Sequence, residues 1–262
     1  MVPRLAATVM LVRPAGETGE PEVLMLRRSA RSAFAPDAYV FPGGTVDAID
    51  RSSRLLARLS GTTPSRLNAL FRASVDARLP AEQATLDPND RKPLLCAALR
   101  ELFEEGGVLL NAGDAEIEPA ALHEARADIA HGRRTFADVL DRLDVALDAG
   151  GVELFSHWIT PPDEPRRYNT FFFLARANAH VAVADRHETH DELWIAPKAA
   201  LERYAAGTFA MVYPTIKHVE RLAEFRRIDE LFHFARSKPV VSIMPARGGS
   251  GFALPPALER AW

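Results

Sequence analysis

The sequence predicts a mixed α/β fold. Short, β-rich apolar runs occur along the chain, and between them lie longer segments in which apolar residues recur every three or four positions. Strands that alternate with helices are typical of a sheet covered by helices. The 262 residues, 47% apolar and 26% charged, fit one large globular domain or two small ones with a sizeable core.

The composition also excludes several functional classes. The formal net charge is −3, from 32 basic and 35 acidic residues, whereas a dedicated nucleic-acid binder would carry a basic excess. A single cysteine, Cys96, excludes an internal disulfide and a cysteine-rich zinc site, and it suits a small core position. No apolar stretch reaches the ~18 residues that a membrane span needs. We therefore expect a cytoplasmic protein without a nucleic-acid or membrane partner.

The first half of the chain begins with strands and continues with helices. Strands are predicted at residues 5–12, 22–26 and 39–41, the last of which stops at Pro42-Gly43-Gly44. Helices are predicted as a pair within 51–79, from Pro93 to Gly106 or Gly107, and at 119–130 and 135–147. We expect the pair within 51–79 to pack inside the chain, with a homodimer interface or a surface for an acyl chain as the alternatives.

The second half repeats this alternation. Strands are predicted at residues 153–160, 170–177, 181–184 and 240–244, and helices at 197–206 and 214–234. Residues 247–250 form a glycine-rich tail without the Lys-Ser/Thr pair of a phosphate-binding loop.

Three glutamates on the helix that begins at Pro93 carry the clearest chemical signal. At about 100° per residue, Glu104 and Glu105 lie on either side of Glu101, so the three carboxylates share one helix face. Like charges at these spacings repel, and the negative end of the helix dipole is close. A bound cation would remove both penalties, and oxygen-only ligands favour Mg²⁺ or Mn²⁺ over zinc. The alternative is a solvated acidic helix face.

The surrounding residues resemble a known motif. Residues 100–108 read Arg-Glu-Leu-Phe-Glu-Glu-Gly-Gly-Val and match the second half of the Nudix box, while Gly44 and Asp50 match the first half. The chain therefore resembles a Nudix hydrolase, which implies an α/β/α sandwich around a mixed sheet. It departs from the family in having Asp50 where Glu is usual, and 49 residues between Asp50 and Arg100, 42 more than the usual seven.

The resemblance implies a division of the chain and a role for each motif residue. We expect one domain over residues 1–262, with a helical insert at 51–92, a second at 118–150, and a C-terminal helix and tail at 214–262. The site residues implied by position are Glu101, Glu104 and Glu105 as Mg²⁺ or Mn²⁺ ligands, the carbonyl of Gly43 as a further ligand, Arg100 orienting a glutamate, and Glu188 as an additional carboxylate, with Glu192 as its alternative.

The long insert is similar to that of the peroxisomal coenzyme A diphosphatase branch. So are Arg27-Arg28-Ser29 and the stretch 166–170. This similarity implies a small-molecule diphosphate substrate, first coenzyme A or an acyl derivative. ADP-ribose or a nucleotide sugar is the alternative substrate, and a non-catalytic Nudix-fold binding module is the alternative class. Arginine suits phosphate and aromatic rings suit adenine, so the candidate substrate-binding residues are Arg27, Arg28, Phe34, Arg166, Arg167 and Tyr168.

Overall fold

The computed structural model describes residues 2–16, 18–29, 35–71, 86–113, 116–177, 192–248, 251–254, 256–259 and 262. Its strands are β1 Arg4–Pro14, β2 Pro21–Arg27, β3 Tyr39–Val40, β4 Gly43–Thr45, β5 Leu59–Ser60, β6 Leu147–Asp148, β7 Glu153–Ile159, β8 Tyr168–Arg176, β9 Glu192–Ile195, β10 Ser242–Ile243, β11 Ala246–Gly248 and β12 Gly251–Ala253. Its α-helices are α1 Ser53–Ala57, α2 Pro64–Leu70, α3 Arg91–Gly106, α4 Pro119–Ala130, α5 Phe136–Leu143, α6 Pro197–Ala205, α7 Tyr213–Leu222 and α8 Ile228–Ser237.

The main sheet is mixed, as predicted. Its strands follow the order β10–β7–β8–β1–β2–β3, and β4 and β9 pair with β1 and β2, respectively. The strand β1 is parallel to β8 but antiparallel to β2 and β4. The Gly-Gly strand β4 therefore lies beside the middle of the sheet, where it faces the helices that cover that region.

Helices cover both faces of this sheet, which confirms the α/β/α sandwich. Successive strand residues point to opposite faces. Val9 and Leu11 of β1 join the core on the side of α3, whereas Met10 and Val12 join a second core with residues of α6, α7 and α8. Helix α3, which carries Glu101, Glu104 and Glu105 and is called the carboxylate helix below, thus packs its apolar side onto one face of the sheet.

The two segments predicted to be helical inserts, 51–92 and 118–150, contact each other directly. Strand β5 of the first insert pairs in parallel with β6, close to the end of the second. Arg54 of α1 also binds Asp138 and Asp141 of α5. Leu55 and Leu70 of the first insert are buried in the core on the α3 side, so packing within the chain, the preferred expectation, is confirmed for these residues.

Several predicted elements differ from the observed ones. The helix predicted over 135–147 ends at Leu143, because Asp144 adopts a left-handed conformation with φ of 49°, and the following residues form β6. The glycine-rich tail contributes to a hairpin of β11 and β12. Strand β9 was not predicted, and the strand predicted at 181–184 lies outside the described residues.

The helix predicted over 214–234 is two helices, α7 and α8. Val219 and Leu222 of α7, and Leu231 of α8, all point into the same core. Eight residues lie between Leu222 and Leu231, but the chain leaves helical geometry after Leu222 and returns to it at Ile228. Two separate helices allow each apolar stripe to face the sheet. Within the part of the chain that the structure describes, no helix is both long and apolar enough to cross a membrane.

Candidate active site

The carboxylates lie on the last two turns of α3. This helix is anchored by a buried apolar side that includes Leu95, Leu99 and Leu102. It ends at Gly107, whose φ of 64° is left-handed and favours glycine. Cys96 is fully buried, and burial raises the pKa of its thiol to about 12, in agreement with the prediction of a core cysteine.

A buried ion pair joins the two halves of the motif across the first insert. The Arg100 guanidinium donates from Nε to Asp50 Oδ1 and from Nη2 to Asp50 Oδ2, both at 2.9 Å. Asp50 is fully buried, and Arg100 is 4% exposed. Because this bidentate contact spans 50 positions of sequence, the insert leaves the two half-motifs together.

The same guanidinium organises the carboxylate face. Its Nη1 donates to Glu101 Oε1 at 2.8 Å and to Glu104 Oε2 at 3.2 Å, and its Nη2 also donates to the Thr45 carbonyl at 3.2 Å. The planar, fixed fork of arginine allows one side chain to hold several acceptors in defined directions. Arg100 therefore contacts two of the three glutamates, and its orienting role stays a prediction.

Gly43 and Gly44 of strand β4 lie very close to Glu105 and Glu101, respectively. The Gly43 N–H donates to Glu105 Oε2 at 2.9 Å. A Cβ on Gly44 would lie 2.3 Å from Glu101 Oε1, and a Cβ on Gly43 would lie 2.6 Å from the Ala7 carbonyl oxygen. Gly43 has no room for a side chain because backbone atoms of Ala7 and Thr8 lie too close, whereas a side chain at Gly44 would force the Glu101 carboxylate to move.

Burial makes this cluster electrostatically costly. Desolvation is the largest cause that raises the pKa of Glu101 and Glu104, and the nearby Arg100 opposes it. Desolvation also raises the pKa of Glu105 to about 7, against the Gly43 N–H and the charge of Arg28. Burial therefore disfavours the charged form of all three carboxylates, and a bound cation would favour it.

The donor chemistry fits a divalent metal, although the side chains are not drawn to a single point. Carboxylate oxygens are the ligands that Mg²⁺ and Mn²⁺ prefer. Among the described residues, no three His, Cys, Asp or Glu side chains already surround one position. The reason is visible in the contacts: Arg100 attracts Glu101 and Glu104, whereas Glu105 turns to the Gly43 N–H.

Arg126, which the sequence pattern does not predict as a site residue, also contacts the end of the helix that carries the carboxylates. Arg126 of α4 donates to the backbone carbonyls of Glu104 and Glu105 and to Glu192 Oε1. Its position inside an amphipathic insert helix gives no local signal of such a role. Glu192, the alternative extra carboxylate, is thereby placed beside the end of α3, while the preferred Glu188 lies outside the described residues.

Two of the candidate phosphate-binding arginines lie at the end of β2. Arg27 is half-exposed and pairs with Asp37 at 3.2 Å. Arg28 follows it, and its charge acts on Glu105, which places Arg28 near the carboxylate cluster. Phe34, the candidate aromatic residue of the following segment, lies outside the described residues.

The other candidates lie where β7 turns into β8. Arg166 is exposed, whereas Arg167 is buried and donates through Nε to the carbonyls of Thr160 and Pro161 at 3.0 and 3.1 Å. Tyr168 begins β8, which lies two strands away from β4, or about 10 Å at ordinary strand spacing. The charge of Arg28 thus reaches Glu105. Arg167 contacts two backbone carbonyls between β7 and β8, and Arg166, Arg167 and Tyr168 lie apart from the carboxylate cluster.

A separate cleft of about 600 Å³ opens at the far ends of β7 and β8. It is lined in part by Phe232, Arg176 and Arg236 and contains none of the predicted site residues. Its arginines already pair with carboxylates, Arg176 with Asp229 and Arg236 with Glu153. The predicted carboxylates therefore lie on α3, outside this cleft.

Comparisons with known proteins agree with the geometry. A family model described as the NUDT19 Nudix domain matches residues 3–222. The chain is 31% identical to the acyl-coenzyme A diphosphatase NUDT19 of Gallus gallus, covering 90% of this chain and 72% of that protein, and 30% identical to the Homo sapiens protein of the same name, covering 81% and 63%. A Nudix hydrolase crystal structure from Alicyclobacillus acidocaldarius superposes with a TM-score of 0.67 at 26% identity, covering 92% of this chain and 98% of that one. The chain belongs to the Nudix hydrolase family, in the branch of the NUDT19 Nudix domain, and is an enzyme that hydrolyses pyrophosphate bonds.

Proposed function

We propose that this enzyme is a divalent-metal-dependent diphosphatase of coenzyme A or acyl-coenzyme A. The observation that carries the proposal is the contact of Arg100 with Asp50, Glu101 and Glu104 across the first insert. Through Arg100, helix α3 stays next to Asp50 and strand β4 despite the long insertion. The substrate is supported by the relatives, which are named acyl-coenzyme A diphosphatases.

The proposed reaction is hydrolysis at a P–O–P bridge. Water adds to one phosphorus, the bridging P–O bond breaks, and the product is a pair of phosphomonoesters. For coenzyme A these are 3′,5′-ADP and 4′-phosphopantetheine. A bound Mg²⁺ or Mn²⁺ would supply neutralisation of the diphosphate charge and a lower pKa for the attacking water.

The chain's own residues have distinct roles in this proposal. Glu101, Glu104 and Glu105 would hold the cation, with the carbonyl of Gly43 as a further ligand. Arg100 would fix the direction of the two glutamates that it contacts. Glu188 stays our proposal for an additional ligand or base, and Glu192 stays its alternative.

Four arginines, two at the end of β2 and two before β8, are proposed to recognise the substrate phosphates. Arg28 has the strongest support, because its charge already acts on the carboxylate cluster. Coenzyme A carries a 3′-phosphate besides its diphosphate, which gives Arg27, Arg166 and Arg167 a ligand of suitable charge. Phe34 and Tyr168 are proposed to contact the adenine ring.

The setting of the enzyme completes the proposal. We propose that it works in the cytoplasm on a small molecule, with neither nucleic acid nor membrane as a partner. We also propose that the enzyme can form a homodimer.

A substrate panel tests the assignment. Purified enzyme with Mg²⁺ or Mn²⁺ is expected to convert coenzyme A into 3′,5′-ADP and 4′-phosphopantetheine, detected by liquid chromatography and mass spectrometry. Cleavage of ADP-ribose or nucleotide sugars alone would refute the coenzyme A assignment. Metal-dependent ligand binding without turnover of any diphosphate would favour the binding module instead.

The metal role has its own test. Glu104→Gln removes one negative charge from the cluster with little change in shape. Loss of one metal interaction worth several kcal/mol lowers kcat by roughly 100-fold or more. Glu220→Gln is the matched control, because Glu220 is 45% exposed and pairs only with Lys217 among the ion pairs described. Equal rates for the two variants would refute the role of Glu104.

A further inference from the structure

The inference concerns Arg126, which connects the second insert to the end of the carboxylate helix. Its side chain is 13% exposed and makes three donations. Nε donates to the Glu104 carbonyl at 2.8 Å, Nη2 donates to the Glu105 carbonyl, and Nη1 donates to Glu192 Oε1 at 3.1 Å. One guanidinium therefore holds the backbone of two proposed metal ligands and a third carboxylate.

The helix end explains why these carbonyls need a partner. The last carbonyls of an α-helix have no intrahelical donor. At the end of α3, the Gly107 N–H donates to the Phe103 carbonyl at 3.0 Å and the Val108 N–H to the Leu102 carbonyl at 3.4 Å. The carbonyls of Glu104 and Glu105 come next, and Arg126 donates to both.

Charge supports the same arrangement. The C-terminal end of a helix carries partial negative charge, and here it adds to three nearby glutamates. The guanidinium of Arg126 is therefore favourable at this end. It comes from α4, whereas Arg100 is part of α3 itself. Glu192, also 13% exposed, is the first residue of β9 and is tied to the helix end through Arg126.

We propose that Arg126 is a positioning residue of the active site: it fixes the last turn of α3 and Glu192 relative to each other. The second insert is then part of the catalytic frame. This inference rests on the proposed function for its consequence in catalysis, but its structural part can be measured without substrate or metal.

The experiment compares Arg126→Met with wild-type enzyme and with Arg133→Met. Arg133 follows the same helix, is 53% exposed and pairs with Asp128, and none of its described contacts reaches α3. Amide hydrogen exchange over residues 103–108 is expected to be at least about tenfold faster in Arg126→Met. Mn²⁺ alone, followed by electron paramagnetic resonance, is expected to bind about 10–100-fold more weakly. With coenzyme A, kcat should fall by a similar factor while KM changes less than about threefold.

A second, conservative variant, Arg126→Lys, tests the same proposal. Arg126→Lys retains the charge but cannot reach both carbonyls and Glu192 with one planar group, so we expect intermediate exchange and intermediate Mn²⁺ affinity. It also provides a readout if Arg126→Met does not fold.

Two results would overturn the inference. One is exchange in the last turn of α3 that matches Arg133→Met. The other is faster exchange with unchanged Mn²⁺ affinity and kcat, which would make Arg126 a helix cap without a role in the site. If wild-type enzyme cleaves no coenzyme A, the proposed substrate fails, while exchange and Mn²⁺ binding still decide the role of Arg126.

Discussion

Replacement of Asp50 by asparagine tests whether the buried ion pair holds the two half-motifs together. The Asp50 carboxylate accepts three donations: two from Arg100 at 2.9 Å, and one from the Asp47 N–H at 2.8 Å. An asparagine has one oxygen and one NH₂ group in the same places. Whichever way the amide is turned, its NH₂ group faces another donor, and Arg100 loses its best-buried counter-charge.

The size of the effect follows from burial. Removing one partner of a buried pair costs about 3–5 kcal/mol. Glu101 and Glu104 stay beside the guanidinium and reduce the loss, so we expect about 3 kcal/mol, the lower end of this range. For a chain of this size the melting temperature would fall by roughly 6–12 °C.

The assay is equilibrium urea unfolding of wild-type enzyme, Asp50→Asn and Asp229→Asn, followed by tryptophan fluorescence. Asp229 is the matched control because it pairs with Arg176 while 70% exposed, and exposed pairs contribute about 1 kcal/mol or less. If Asp50→Asn lowers the free energy of unfolding by no more than Asp229→Asn does, the reasoning from burial is wrong.

Three further predictions concern pH, glycine and the thiol. Burial lowers the pKa of His218 to about 3, so only the unfolded chain binds a proton there as pH falls below about 6.5, and stability is lost. His218→Gln should therefore remove about 2 kcal/mol of the change in unfolding free energy between pH 7.5 and 5, measured by urea unfolding. The same pH difference in wild type and variant would contradict this. The raised pKa of Glu105 acts in the opposite direction, so the readout is the difference between wild type and variant. Gly44→Ala should displace Glu101 and lower kcat by about tenfold or more in the coenzyme A assay, whereas wild-type rates would contradict the close contact. Cys96 should react with a thiol reagent only after denaturation, and rapid labelling of native enzyme would contradict its burial.

The local sequence pattern predicts much of the fold because it records which side of each element is buried. The helix expected from Pro93 to Gly106 or Gly107 is α3, and the one expected over 119–130 is α4 with the same bounds. The prediction of a Nudix hydrolase with a mixed sheet is confirmed. The prediction was possible because residues 100–108, the second half of the motif, are contiguous in sequence. Errors occur where neighbouring segments compete, as at Asp144, whose left-handed backbone ends a helix that the apolar pattern alone would continue.

Within the site, spacing along one helix is enough to bring Glu101, Glu104 and Glu105 to one face, because the helical repeat is fixed by the backbone. Contacts between distant segments depend on how the whole chain packs. Local patterns do not predict how the 49 residues between Asp50 and Arg100 return the chain to the same site. They also do not predict that Arg126 contacts backbone carbonyls at the end of α3. These partners meet because the inserts fold onto the sheet and leave unpaired polar groups that must be satisfied on burial, a requirement that no local periodicity encodes.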